Sequence, residues 1–160
     1  MKRALFCIVA ALSVSGCAAI SNDPTEPAAS RDMKVAFDIT DGNPKVVLAK
    51  LNIIDVTRKQ LIESGVTPKM VLAFRGDASY FTQADLRNVK EADRADTLMI
   101  HAKLKELRQA SGVQAVEQCN LPLAPRKLKA ADVMQEVKVV PNGWISLVNY
   151  QRQGYGYIVP

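Results

Sequence analysis

The chain has 160 residues and a formal net charge of +5, with 48% hydrophobic and 23% charged residues. This composition excludes a collagen, a coiled coil, a long disordered protein and a disulfide-dense miniprotein, and the length suits one domain with one sizeable core. The small net charge and the scattered lysines and arginines also argue against nucleic-acid binding.

The first 16 residues have the form of an export signal. Lys2 and Arg3 give a basic start, and residues 4–14 form an uncharged apolar run, shorter than the roughly 20 residues that span a bilayer. The run ends in the sequence VSGC, whose last residue is Cys17. An aliphatic residue and two small ones before a cysteine resemble the lipobox of bacterial lipoproteins. That resemblance implies cleavage before Cys17 and acylation of its sulfur and amine; the alternative is a secreted protein cut at a nearby A-x-A-like site.

We therefore predict three parts: a signal peptide over residues 1–16, a lipidated Cys17 with a flexible tether over residues 17–32, and a folded domain over residues 33–160. The tether is rich in Ala, Pro and small polar residues and has no apolar periodicity. Two or three acyl chains would attach the protein stably to a lipid bilayer. Ala18 after the cysteine favours the outer membrane, so the expected location is the periplasmic face of that membrane in a bacterial envelope.

Strand and helix signals alternate through the rest of the chain. The clearest helix follows Asn43 and Pro44, has apolar residues at three-to-four spacing, and ends before Gly65. The predicted strands are residues 34–39, 70–74, 113–119, 137–140 and 155–159, and the predicted helices are residues 44–64, 85–110, 130–135 and 144–153. This alternation predicts a three-layer α/β fold, with a mostly parallel sheet of about five strands and helices on both faces.

The candidate site lies at the carboxyl ends of the strands, where open parallel sheets bind ligands. Residues suited to binding follow the first four strands in turn: Asp41, Gly42 and Asn43, then Arg75 and Gly76, then Cys119 and Asn120, then Asn142, Gly143 and Trp144. With a strand order of 2-1-3-4-5, Cys119 would face the Asp41-Gly42 loop across a crevice. Arg75 either recognises an anion or pairs with Asp41 or Asp77, and Trp144 is either a core residue or a ligand platform.

Cys119 is the central candidate because it would be the one free thiol left after Cys7 is removed and Cys17 is lipidated. An unpaired cysteine is unusual in an oxidising compartment. A following helix N-terminus and Arg126 or Lys127 would favour its thiolate, whereas Glu117, two residues earlier on the same side of the strand, would disfavour it. The alternative is a small buried residue that completes the core.

Other chemistry has little support in the sequence. His101 lies mid-helix with no partner implied by its spacing, so we expect an ordinary histidine. Asp38 and Asp41 are three residues apart at a strand end and could bind a cation, although Asp-Gly pairs usually form only turns. The spacings of zinc sites and the glycine-rich loops of nucleotide sites do not occur, so we expect neither a metal nor a cofactor.

Five segments carry a family resemblance across the predicted domain. They are FDITDGNP (37–44), LNIIDVTRKQL (51–61), AFRG (73–76), EQC (117–119) and NGWISLVNYQ with the following GY (142–155). Residues 33–160 are similar to the DsrE/DsrF-like family of small sulfur-relay-type proteins. The resemblance implies a parallel sheet between helices, assembly into homo-oligomers or with related subunits, and a persulfide-carrying cysteine near the end of the third strand. Cys119 is the residue at that position.

The expected function is that of an envelope lipoprotein with a DsrE/DsrF-like domain, which carries or transfers sulfur as a persulfide on Cys119. Arg75 and the backbone N–H groups of Gly42, Asn120 and Gly143 would steady the anionic sulfur. The competing hypothesis is a noncatalytic module of the envelope that binds a small ligand or assembles with other subunits. A thiol that senses oxidants is a third possibility.

Overall fold

The structure is a computed structural model and describes residues 32–160; the predicted signal peptide, Cys17 and the tether up to residue 31 lie outside the described residues. The strands are β1 (Asp32–Ile39), β2 (Thr67–Phe74), β3 (Val113–Cys119), β4 (Lys138–Val140) and β5 (Gly156–Ile158). The α-helices are α1 (Pro44–Glu63), α2 (Arg94–Gln109) and α3 (Gly143–Arg152). Short 3₁₀ turns cover Gly76–Thr82, Glu91–Asp93, Ala124–Arg126 and Ala130–Asp132.

The strands form one sheet in the order β4-β3-β2-β1-β5, and every neighbouring pair is parallel. The chain steps in one direction from β1 to β4, and α3 then returns it to the far edge, where β5 pairs with β1. Right-handed crossovers that run in opposite directions lie on opposite faces of a sheet. Accordingly, α1 and α2 pack together on one face and α3 contacts the other. This arrangement confirms the predicted three-layer α/β fold.

The strand order differs from the order 2-1-3-4-5 considered above. β2 lies between β1 and β3, so the loop after β1 and the end of β3 are not neighbours. The reason is that the first crossovers all step the same way, and only β5 goes to the other side of β1. Cys119 therefore lies between the carboxyl ends of β2 and β4.

The two faces of the sheet have cores of different size. The larger core joins β1, β2 and β3 to α1 and α2, with Phe74, Leu51 and Leu104 fully buried within it. The core under α3 contains small sheet residues, Ala36 and Ala73 among them, packed on that helix. Small side chains let a helix approach a sheet closely, and this brings the first turn of α3 to the end of β3.

A register shift places Cys119 on the α3 face. Val113 pairs with Met70, but Ala115 pairs with Val71, so one residue of β3 is left over between the two pairs. Val116 lies after this bulge and packs in the larger core. The residues on either side of Val116, and Cys119, therefore point to α3.

The predicted helix over residues 44–64 is confirmed as α1. The Asn43 side chain accepts a hydrogen bond from the Lys45 N–H at 3.0 Å, and Pro44 is the first helical residue. The helix ends at Glu63, and Gly65 follows with a φ of +77°.

Two other helix predictions were partly wrong. Residues 85–110 do not form one helix, because α2 begins only at Arg94. The Asp85 carboxylate accepts the Arg87 N–H at 2.7 Å and stabilises a turn there instead. The helix expected over residues 130–135 is a 3₁₀ turn at Ala130–Asp132, because Val133 leaves it to form an antiparallel bridge with Gln83.

Candidate functional site

A cavity of about 290 Å³ opens at the carboxyl ends of β2, β3 and β4. We call it the thiol cavity because Cys119 forms part of its wall. Its lining residues come from the segments that follow these three strands: Arg75, Gly76, Cys119, Leu121, Pro122, Pro125, Arg126, Asn142 and Trp144.

The Cys119 sulfur is held against the first turn of α3. Its Sγ accepts a hydrogen bond from the Gly143 N–H, with an N-to-S distance of 3.0 Å, and the residue is only 4% exposed. Asn142 caps the helix by accepting the Trp144 N–H at 3.0 Å, which leaves the Gly143 N–H free for the sulfur. The thiol therefore lies at the base of the cavity, beside the partial positive charge of a helix N-terminus.

Position 143 has no room for a side chain. A Cβ there would lie 2.9 Å from both Cys119 Cβ and Arg75 Cδ. A glycine is thus required for the helix, the thiol and the guanidinium to approach one another this closely.

Arg75 is fixed by a buried carboxylate at the end of β1. Its Nε donates to Asp38 at 2.8 Å and its Nη2 donates to the other oxygen of Asp38, which is 2% exposed. The Tyr157 hydroxyl also donates to Asp38, at 2.6 Å. Hydrogen bonding to Asp38 is the largest cause that raises the pKa of Arg75, and the negative charge of Asp38 raises it further. The Arg75 ion pair is therefore with Asp38, and with neither Asp41 nor Asp77.

Trp144 covers the outer side of Arg75. The guanidinium carbon lies 5.4 Å from the centroid of the indole ring, a cation–π contact. The tryptophan is 65% exposed, so its interpretation as a core residue was wrong. It forms an open aromatic wall of the thiol cavity.

Arg126 provides a second guanidinium in the same cavity. Its Nε and Nη2 donate to one oxygen of Asp77 at 2.9 and 2.7 Å, and its Nη1 donates to the Pro122 carbonyl at 3.2 Å. The Asp77 side chain is 60% exposed, in contrast to the buried partner of Arg75.

Glu117 faces α3, on the side of the strand that also carries Cys119. Its carboxylate is 2% exposed and accepts hydrogen bonds from the Ser146 and Tyr150 hydroxyls, the latter at 2.9 Å. Burial is the main cause that raises the pKa of Tyr150, and the hydrogen bond to Glu117 adds to it. Two hydroxyls thus satisfy the acid that was expected to oppose a thiolate.

The remaining sequence candidates lie outside the thiol cavity. Asp41 pairs with Lys50, Asn43 caps α1, and Gly42 lines a neighbouring cavity of about 360 Å³. Asn120 is exposed, and its N–H donates to the Val140 carbonyl at 2.9 Å, which extends the ladder between β3 and β4.

His101 is a buried residue of α2 and does not line the thiol cavity. Burial is the main cause that lowers its pKa, against a hydrogen bond with the backbone of Phe81 that raises it. Among residues 32–160, no group of three or more His, Cys, Asp and Glu side chains is arranged to hold a metal ion.

Sequence reasoning missed three features of the site. Asp38 was considered only as a cation ligand, although an acid inside the apolar strand KVAFDI already indicated a buried partner. Tyr157 had no signal, because its contact with Asp38 joins residues that are 119 positions apart. The apolar wall was also missed, since Leu121, Pro122 and Pro125 have the composition of an ordinary loop.

Comparison with known proteins places this arrangement among related chains. The chain is 29% identical over 126 residues to an uncharacterized protein of Aquifex aeolicus (strain VF5), which covers 79% of this chain and 55% of the relative. It thus spans about half the length of that relative. The protein of unknown function MTH1491 from Methanobacterium thermoautotrophicum has a solved structure with the same fold. It covers 81% of this chain and 100% of its own, with a TM-score of 0.62 and 19% identity. The model of the DsrE/DsrF-like family matches residues 25–160, and the chain therefore belongs to that family.

Proposed function

We propose that this protein carries sulfur as a persulfide on Cys119 and passes it to a thiol acceptor. The observation that carries the proposal is the setting of the sulfur. Its Sγ accepts the Gly143 N–H at the N-terminus of α3, and Cys119 lines a cavity together with Arg75. Reactive cysteines are found where a helix N-terminus and a neighbouring arginine stabilise the thiolate.

The proposed transfer balances without an added oxidant. The Cys119 thiolate attacks the outer sulfur of a persulfide donor, RS–SH, so that a new S–S bond forms to Cys119. The RS–SH bond breaks, and its electron pair leaves with the donor as a thiolate, RS⁻. In the second half, an acceptor thiolate attacks the outer sulfur on Cys119 and releases the Cys119 thiolate. The Gly143 N–H stabilises the negative sulfur at the start and at the end of the cycle.

Mass spectrometry of the treated protein tests this proposal. Incubation with a small organic persulfide should add about 32 Da, the mass of one sulfur atom, to the peptide that contains Cys119. The modification should be reversible, like other caps on cysteine thiols. Dithiothreitol should remove that mass. The Cys119→Ser variant is the control and should gain nothing. An unmodified Cys119 peptide in folded wild-type protein would count decisively against sulfur transfer.

We further propose that the protein is a lipoprotein of the bacterial envelope, held to the membrane by an acylated Cys17. This part rests on the sequence alone, since Cys17 lies outside the described residues. The helices between residues 32 and 160 are all too short or too polar to cross a bilayer. Cys17→Ser should move the protein from the membrane fraction to the supernatant of lysed cells. A wild-type mature protein without lipid on its N-terminal peptide would contradict the proposal.

A noncatalytic assembly module is the second candidate, because apolar side chains are exposed on α3 and after it. Each of the following is at least 45% exposed: Trp144, Ile145, Val148, Ile158 and Val159. Exposed apolar groups of this kind are typical of a surface that another subunit covers. Light scattering should then show an oligomer of this chain, and Val148→Lys should reduce it to a monomer. Full activity of Cys119→Ser in the cell would favour assembly over sulfur transfer.

A further inference from the structure

The thiol cavity is larger than a single sulfur atom requires. Its volume of about 290 Å³ is near the lower end of the range for small-molecule sites, about 300 Å³ and upward. One wall is apolar and consists of Leu121, Pro122 and Pro125. A donor that fills this space has an organic part next to its sulfur.

The two guanidinium groups of the cavity are held very differently. Arg75 is bound by Asp38, a buried carboxylate whose removal would leave an unpaired charge inside the protein. Arg126 is bound by Asp77, whose side chain is 60% exposed. Ion pairs between exposed groups contribute little to stability, because water replaces either partner easily. Arg75 therefore keeps Asp38 as its partner, whereas Arg126 can exchange Asp77 for the carboxylate of a ligand.

We infer that the thiol cavity selects a small organic persulfide that carries a carboxylate, and that Arg126 recognises this group. The inference rests on the proposed function of Cys119 and names the class of its sulfur donor. The carboxylate replaces Asp77 at Nε and Nη2 of Arg126, where parallel N–H donors suit a carboxylate. The alkyl part of the donor then lies along the apolar wall, and its outer sulfur reaches Cys119.

A set of three persulfides that share a two-methylene spacer compares terminal groups of different charge. They are the persulfides of 3-mercaptopropionate, 2-mercaptoethanol and cysteamine, which end in a carboxylate, a hydroxyl and an ammonium group. The rate of the 32 Da addition to Cys119 is measured for each by rapid quenching and mass spectrometry. Because hydrogen bonds to charged groups are the strong ones, the carboxylate donor should react about tenfold faster than the hydroxyl donor. The ammonium donor should be the slowest.

Variants of the ion pair test whether Arg126 is responsible for the preference. Arg126→Gln should lower the ratio of the carboxylate rate to the hydroxyl rate from about tenfold to about one. Asp77→Asn should raise that ratio, because it removes the competing carboxylate. Arg87→Gln is the matched control, since it removes the same charge from an exposed pair with Asp85 that does not line the cavity. The ratio is insensitive to a general loss of folded protein.

The outcomes separate this inference from the proposed function. If all three donors modify Cys119 at the same rate, sulfur transfer stands and selection by charge is overturned. If the preference exists but survives in Arg126→Gln, the assignment to Arg126 is overturned. If no donor modifies Cys119, the proposed function fails and this inference fails with it.

Discussion

At the scale of single residues, the site depends on one missing side chain. Alanine normally stabilises a helix relative to glycine by about 0.5–1 kcal/mol. At Gly143 the sign should reverse, because a Cβ would lie 2.9 Å from Cys119 Cβ, whose position the backbone sets.

We expect Gly143→Ala to destabilise the protein by about 1–3 kcal/mol, the usual cost of overpacking. It should also slow alkylation of Cys119 by iodoacetamide, because the sulfur moves away from the Gly143 N–H. Urea unfolding and the alkylation rate at pH 7 check both effects. Gly156→Ala is the control, since its Cβ would meet its neighbour, the Lys34 carbonyl oxygen, at an ordinary 3.7 Å. A Gly143→Ala variant as stable and reactive as the wild type would show that the crowding has no energetic effect.

Asp38 holds Arg75 in the thiol cavity and is a positioning residue in the proposed function. Asp38→Asn should cost about 3 kcal/mol, because it leaves a largely buried guanidinium without its counter-charge. It should also slow alkylation of Cys119 by iodoacetamide at pH 7, since Arg75 is no longer held in the cavity that Cys119 lines. Urea unfolding and the alkylation rate are the measurements.

Tyr157→Phe provides the comparison for Asp38. It removes one hydrogen bond to the same carboxylate but leaves the ion pair, so it should cost only about 1 kcal/mol. The alkylation rate of Cys119 at pH 7 should stay at the wild-type value. Equal changes in the alkylation rate of both variants would mean that Arg75 does not transmit the effect.

At the scale of elements, a buried ion cluster joins α1 to α2 far from the thiol. Asp55 in α1 is 2% exposed and accepts hydrogen bonds or ion pairs from Arg58, Lys59 and, across from α2, Lys103. Burial by itself would raise the pKa of Asp55, but the hydrogen bonds from Lys103, Lys59 and Arg58 outweigh it and lower the pKa below its usual range. The cluster therefore stabilises the helix pair only while Asp55 is ionised.

The sign of the pH dependence follows from this lowered pKa. Below about pH 4 the unfolded chain binds a proton at Asp55 and the folded chain does not. The free energy of unfolding therefore decreases as the pH is lowered. Lys103→Gln should weaken this acid-side dependence more than Lys59→Gln, because the Lys103 side chain is 13% exposed and that of Lys59 is 56% exposed. Urea unfolding between pH 2 and 7 gives the comparison. Identical curves for both variants would contradict the assigned role of Lys103.

At the scale of the whole molecule, the parallel sheet separates the chain entry from the site. The described chain enters β1 at Asp32, at the amino edge of the sheet, whereas Cys119 ends β3 at the carboxyl edge. An eight-residue strand such as β1 spans about 26 Å. An anchor that leads through a flexible tether into Asp32 would therefore join the domain at the edge opposite the thiol cavity, an orientation that leaves the cavity open to solvent.

This geometry predicts that Cys119 stays accessible when the lipidated protein is bound to vesicles. A charged maleimide that does not cross bilayers should label Cys119 at the same rate on vesicles as in detergent. The protein must be bound to the outside of preformed vesicles, so that the maleimide and the folded domain are on the same side of the bilayer. A rate on vesicles reduced severalfold would contradict the orientation, because it would place the cavity against the lipid surface.

The fold class and the local structures that build it can be inferred from the amino-acid sequence. Apolar periodicity identified α1, the cap at Asn43 set its start, and the alternation of strands with helices indicated a parallel sheet, because these signals act over a few neighbouring residues. Cys119, Arg75, Gly76, Asn142 and Trp144 could also be named as cavity residues, since parallel strands bring their carboxyl ends to one edge.

The identity of neighbouring strands and of paired charges could not be inferred without the three-dimensional fold. The order β4-β3-β2-β1-β5 moved Asp41, Gly42 and Asn43 out of the thiol cavity. The same order joined Asp38 to Arg75 across β1 and β2, and to Tyr157 from the edge beyond β1. These contacts depend on the direction in which each crossover steps along the sheet. The sequence pattern of a strand is the same whichever side of its partner it pairs on, so the pattern does not indicate that direction.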